Sequence, residues 1–162
     1  MIEKMIDLDE SFFESVGCKA VLLDVDNTMT THDNPVPAKG VVEWLERMKK
    51  AGVSFIIVSN NNEERVAPFA KLIGVDFVSK GAKPLPKGYK KACERLKIKP
   101  CEAVAIGDQI FTDMIGGNLI GAYTVLTVPY KYEDTAFFRF KRIMEKPFIA
   151  FYKRKAAKKN GR

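Results

Sequence analysis

Five short apolar runs separated by stretches of helical periodicity constrain this chain more than any other feature. They are Ala20-Val21-Leu22-Leu23-Asp24-Val25, Val53-Ser54-Phe55-Ile56-Ile57-Val58, Phe77-Val78, Ala103-Val104-Ala105-Ile106-Gly107 and Tyr123-Thr124-Val125-Leu126-Thr127-Val128. The first, second and fourth are apolar runs that read as buried strands, the third reads as a short strand and the last as a strand stopped by Pro129. Helical patterns lie between them. Val41 to Lys50 carries Val42, Leu45 and Met48 at helical spacing and stops at Ala51-Gly52. Glu63 to Ile73 stops at Gly74, Gly88 to Leu96 precedes the Lys99-Pro100 break, and a short helix is predicted over Thr112 to Ile120. Residues 2–16 have partly helical spacing, and the tail from Thr135 reads as helical with an interruption at Pro147. Strands alternating with helices predict an α/β fold, an open and mostly parallel sheet with helices on both faces.

The chain has 162 residues, 46% hydrophobic and 29% charged, which suits a soluble domain with a real core and excludes general disorder or a fibrous repeat. No apolar run approaches the roughly 18 residues of a membrane span. The opening Met1-Ile2-Glu3-Lys4-Met5-Ile6-Asp7 has no continuous apolar region and does not read as a signal peptide. Cys18, Cys93 and Cys101 form no C-x-x-C, which argues against a disulfide framework or a thiolate metal site and makes a reducing cytoplasm the default compartment. Cys93 and Cys101 read as small buried residues, and Trp44 as a core residue.

The net charge of +7 is unevenly placed. Residues 139–162 hold ten basic side chains and one acid, while residues 1–138 hold 17 basic and 19 acidic ones, a net of −2. The division expected is a single catalytic domain over 1–138 and a basic, aromatic, partly helical tail over 139–162. Phe140, Phe148, Phe151 and Tyr152 interleave with Arg139, Arg142, Lys146 and Lys153. That pattern suits an anionic membrane surface, with nucleic acid as the less favoured partner.

In an open parallel sheet a ligand binds outside the carboxyl ends of the strands. Asp24-Val25-Asp26-Asn27-Thr28 follows the first strand, Ser59-Asn60-Asn61-Asn62 the second, Lys83-Pro84 the third, and Gly107-Asp108-Gln109 through Asp113 the fourth. Each has a plainer reading alone. Asp26 suits a turn, Ser59 a cap for the helix from Glu63, Lys83 a solvated loop, and Asp113 a helix N-terminus. Together they bring carboxylates, a hydroxyl and an ammonium to one rim. Carboxylates are hard ligands that suit Mg²⁺. The lone His32 and the unpatterned cysteines argue against zinc, and His32 itself reads as a solvated loop residue. Metal, anion donors and a free carboxylate point to phosphoryl transfer with Asp as nucleophile. No G-x-x-x-x-G-K-[ST] is present, which excludes a P-loop mechanism.

These residues resemble the motifs of the haloacid dehalogenase (HAD) superfamily: Leu23-Asp24-Val25-Asp26-Asn27-Thr28 its first motif, Ser59 its second, Lys83 its third, and Gly107-Asp108 through Asp113 its fourth. The finer wording, with Ser59-Asn60-Asn61-Asn62-Glu63, Arg65-Val66, Ala82-Lys83-Pro84 and Gly116-Gly117-Asn118, resembles the YqeG-type proteins of subclass IIIA, related to mitochondrial phosphatidylglycerophosphate phosphatases. Arg142 and Glu145 sit in a similar Arg-x-x-Glu setting. Leu119 departs from an expected basic residue and Lys141 from an expected Asn.

The resemblance implies a Rossmann-type core. It implies Asp24 as nucleophile and Asp26 as general acid and base. Mg²⁺ would be held by the Asp24 side chain, the Asp26 carbonyl and Asp108. Ser59 and Lys83 would hold the phosphoryl oxygens with the Asn60 backbone adding a donor, and Asp113 would orient Lys83 or a metal-bound water. Arg65 is weighed between a substrate anion and a surface partner one helical turn away. Neither the Thr28–Ser59 nor the Ser59–Lys83 interval has room for the cap domain that many such enzymes insert, so an open site suited to a large or surface-borne substrate is expected. The implied activity is Mg²⁺-dependent hydrolysis of phosphatidylglycerophosphate at the inner membrane face. A soluble or protein phosphate, or a non-catalytic RNA- or ribosome-associated role, are the alternatives.

Overall fold

The computed structural model describes residues 1–31, 34–131 and 143–150. His32 and most of the basic tail lie outside the described residues. The chain divides into two compact units, Met1–Lys131 and Tyr132–Arg162.

The first unit is built on five strands, β1 (Ala20–Leu23), β2 (Ser54–Val58), β3 (Asp76–Val78), β4 (Ala103–Gly107) and β5 (Tyr123–Leu126). Every pairing is parallel and the spatial order is β3-β2-β1-β4-β5. Side-chain alternation along the strands makes two cores. Val21, Leu23, Phe55, Ile57, Val104 and Ile106 point to one face. There they pack against α1 (Glu10–Ser15), α2 (Val41–Lys50) and α3 (Glu63–Ile73) through Phe13, Trp44, Leu45, Met48, Phe69 and Ile73. Leu22, Ile56, Val58, Ala103 and Ala105 point to the other, against Tyr89, Ala92 and Cys93 of α4 (Pro86–Leu96). The short α5 (Ile115–Ile120) packs on that second face, where a Cβ on Gly117 would crowd Ala105. Helices on both faces of a parallel sheet are the expected architecture, and no inserted domain interrupts the described residues between Thr28 and Lys83.

Several local readings are corrected. β1 stops at Leu23, because Asn27 at φ 61° turns the chain and Asp26 bridges to Thr30. The expected Thr112–Ile120 helix is a π-turn over Ile110–Met114 followed by α5. Its widening shows in Met114, whose N–H bonds the Gln109 carbonyl five residues back at 3.3 Å. Ile2 makes a β-bridge beside Thr127 rather than a helical turn. Cys93 is buried as read, but Cys101 is exposed, since it lies in the surface 3₁₀ turn Pro100–Glu102. Trp44 is core, and its indole N–H donates to the Leu8 carbonyl at 2.6 Å. In the second unit, residues 143–150 are helical straight through Pro147. A proline removes a single helical hydrogen bond, here to residue 143 at the first turn described.

Candidate active site

The topology sets the site. After β3 the chain crosses to the other side of β1, so β1 and β4 flank the point where strand order reverses. Leu23 pairs with Ile106, and the Asp24 N–H donates to the Ile106 carbonyl at 3.0 Å, which places Asp24 beside the β4 end that leads into Asp108.

Lys83 is buried between carboxylates. Its Nζ donates to Asp24 Oδ1 at 2.5 Å and to Asp113 Oδ1 at 2.7 Å. A solvated loop lysine is thereby excluded, as is an exposed helix-terminal role for the buried Asp113. Asp113 is held in turn by the Gln109 N–H, which donates to Oδ2 at 3.1 Å, and by the Tyr89 hydroxyl at 3.4 Å. Gly107 makes this approach possible, because a Cβ there would overlap the Asp113 carboxyl. Burial pushes the Asp24 carboxyl well above its ordinary range; Lys83 opposes this and the Asp113 and Asp108 carboxylates add to it. Burial also disfavours the charge on Lys83, yet Asp113 and Asp24 outweigh it and hold the ammonium above the usual lysine range. Burial, reinforced by Asp113, pushes the Tyr89 phenol up, so it keeps its proton.

Oxygens of Asp24, Asp108 and Asp113 lie within 4.8 Å of one another. Oxygen donors so placed fit a hard divalent cation.

The Ser59 hydroxyl is buried and accepts from the Asn61 N–H at 3.1 Å; the cap of α3 is Asn62, whose side chain accepts from Arg65 N. Asp26 is gripped from α3 and the turn before it, by Asn61 Nδ2 on Oδ2 at 2.5 Å and by Arg65 on Oδ1 at 3.0 Å. Sequence reasoning missed this pair. Arg65 meets the second carboxylate of the first motif, a partner that neither of the two readings had named. Asn60, expected as a main-chain donor, has a side-chain task as well. Its side chain clamps the main chain of Lys83, with Oδ1 accepting from Lys83 N at 2.6 Å and Nδ2 donating to Lys83 O at 3.0 Å. Tyr89 had no local signal beyond an apolar position in α4, whereas Asn61 lay in the polar string after β2 and Arg65 one helical turn further on.

A parallel sheet whose switch point gathers a buried lysine between aspartates defines a hydrolase core, and the comparison with known families agrees. The chain belongs to the haloacid dehalogenase-like hydrolases, whose family description matches residues 31–121. The chain is 39% identical to "Probable phosphatase YqeG" of Bacillus subtilis over 85% of its own length and 80% of that protein. It is 30% identical to the glyceraldehyde 3-phosphate phosphatase of Pyrococcus furiosus, over 67% of this chain and 48% of that protein. It is 29% identical to the mitochondrial phosphatidylglycerophosphatase GEP4 of Saccharomyces cerevisiae, over 66% of this chain and 65% of that protein.

Proposed function

We propose that this HAD hydrolase is a Mg²⁺-dependent phosphatase that cleaves a phosphate monoester through an aspartyl-phosphate, with phosphatidylglycerophosphate as substrate. The observation that carries the reading is the buried Asp24–Lys83–Asp113 contact beside Asp108 at the strand switch point. Asp24 and Asp108, with the Asp26 carbonyl, would hold the cation, while Asp113 serves Lys83. Bound there, Mg²⁺ would screen the charge between the carboxylates and the phosphoryl oxygens.

The chain's own residues do the rest. An Asp24 oxygen attacks phosphorus as the bond to the leaving oxygen breaks, and Asp26 gives that oxygen its proton. Asp26 then takes a proton from water, whose oxygen attacks phosphorus and frees Asp24 and inorganic phosphate. Lys83 and Ser59 donate to the phosphoryl oxygens, where preset donors act most strongly. Asn60 fixes the main chain of Lys83, and Asp113 fixes its ammonium.

The lipid substrate is supported by the likeness to GEP4, by the absence of an inserted cap and by the basic aromatic tail, which would hold the enzyme peripherally on the inner face of the membrane. Among the described residues no helix is long and apolar enough to cross a membrane. The likeness to a glyceraldehyde 3-phosphate phosphatase supports a soluble phosphate as the second reading. A phosphate-release panel over lipid, sugar, nucleotide and phosphopeptide substrates tests both. Release only from the lipid in Mg²⁺, abolished by EDTA and restored by Mg²⁺, is the expected result. Full activity in EDTA overturns the cation assignment, and preference for a sugar phosphate overturns the lipid.

A further inference from the structure

Arg65 is the cation of this site that the mechanism leaves without a task. Its guanidinium donates to Asp26 Oδ1 at 3.0 Å and reaches the Asn34 carbonyl at 3.5 Å. Its side chain is 26% exposed, against 3% for Lys83. Lys83 is committed to the buried, nucleophile side; Arg65 straddles the acid and the solvent.

That position has a chemical meaning if Asp26 protonates the leaving oxygen, and the argument rests on that reading. The alcohol released then departs beside Asp26, whose Oδ1 Arg65 holds at 3.0 Å. A guanidinium carries several N–H donors in a planar fork, so it can keep one carboxylate while accepting a second anion, and it suits phosphate better than an ammonium does.

We propose that Arg65 determines leaving-group specificity by binding an anionic group, a phosphodiester, carried on the departing alcohol. Substrates whose alcohol is neutral gain nothing from it. Asn61 has a different task. It donates to the other oxygen of Asp26 at 2.5 Å and offers no charge to substrate, so it positions the acid for every substrate alike.

The test uses two soluble probes, so that it stands apart from membrane binding. One is glycerol 3-phosphate, with a neutral alcohol. The other is the deacylated headgroup of phosphatidylglycerophosphate, whose departing alcohol carries a phosphodiester. Wild type is expected to prefer the headgroup. Arg65→Met should erase that preference, lowering kcat/KM on the headgroup by roughly 10- to 100-fold more than on glycerol 3-phosphate, mainly through KM. Arg65→Lys should recover part of the preference and guards against a variant that fails to fold. Asn61→Ala should reduce both substrates by the same factor, in kcat. Equal losses for Arg65→Met on the two probes would show that Arg65 only holds Asp26, and the proposal falls; so it does if wild type shows no preference. Failure of the lipid reading looks different. The headgroup preference and its dependence on Arg65 then persist, while vesicle-borne lipid is turned over no faster than the headgroup. A wild type that releases phosphate from neither probe nor from p-nitrophenyl phosphate overturns the phosphatase reading and this one with it.

Discussion

Asp24 carries a conflict between its burial and its charge. A carboxyl that should attack phosphorus is buried, which favours its neutral form, and only Lys83 and a cation restore the anion. Asp24→Asn keeps the shape and removes the attacking oxygen. Phosphate release is expected to fall by at least about 1000-fold with the circular dichroism spectrum unchanged; activity within about tenfold of wild type removes Asp24 from the mechanism. Lys83→Met tests the other side of the contact. It leaves Asp24 and Asp113 buried without their cation, so urea unfolding should show a loss of about 3–5 kcal/mol. Added Mg²⁺ should return part of that stability, because the proposed cation would bind only the folded carboxylate cluster.

At the scale of elements, the site is assembled by how helices begin. α3 starts on Asn62, whose side chain caps it and so fixes the register that brings Asn61 and Arg65 to Asp26. Asn62→Ala should cost about 1 kcal/mol in thermal or urea unfolding and lower kcat while the sheet stays intact. A loss of activity with no loss of stability would instead give Asn62 a direct role. α4 starts on Pro86 and presses Gly88 against the Gly81 carbonyl, where a Cβ would collide. That close approach seats the loop bearing Lys83. The π-turn before α5 does the same for Asp113, turning its carboxylate back to the Gln109 N–H and the Lys83 ammonium.

For the molecule as a whole, the uneven charge is a property of the chain's end. The body carries a net of −2 and the last 24 residues the excess. Truncation after Phe151 should leave turnover of a soluble phosphate unchanged. It should reduce sedimentation with anionic vesicles and slow turnover of lipid within them, with high salt mimicking the cut in the full-length protein. Equal binding of both forms to anionic and neutral vesicles would dismiss the tail as an anchor, and a preference of the full-length protein for RNA would favour the alternative partner.

Short-range periodicity suffices to mark the strands and helices of this chain, because a doubly covered strand must be apolar throughout and a helix must repeat every turn. The residues at the strand ends were legible for the same reason: the position of Asp24, Ser59, Lys83 and Asp108 after apolar runs follows from local pattern. What each side chain grips was not legible. Arg65 meets Asp26 across 39 positions of sequence and Asn60 meets Lys83 across 23. Contacts that distant depend on strand order and on glycines that admit close approach, and neither leaves a period in the sequence. Tertiary packing alone therefore decided that the Asn60 side chain holds the main chain of Lys83, that Arg65 pairs with Asp26, and that Lys83 is buried between two carboxylates.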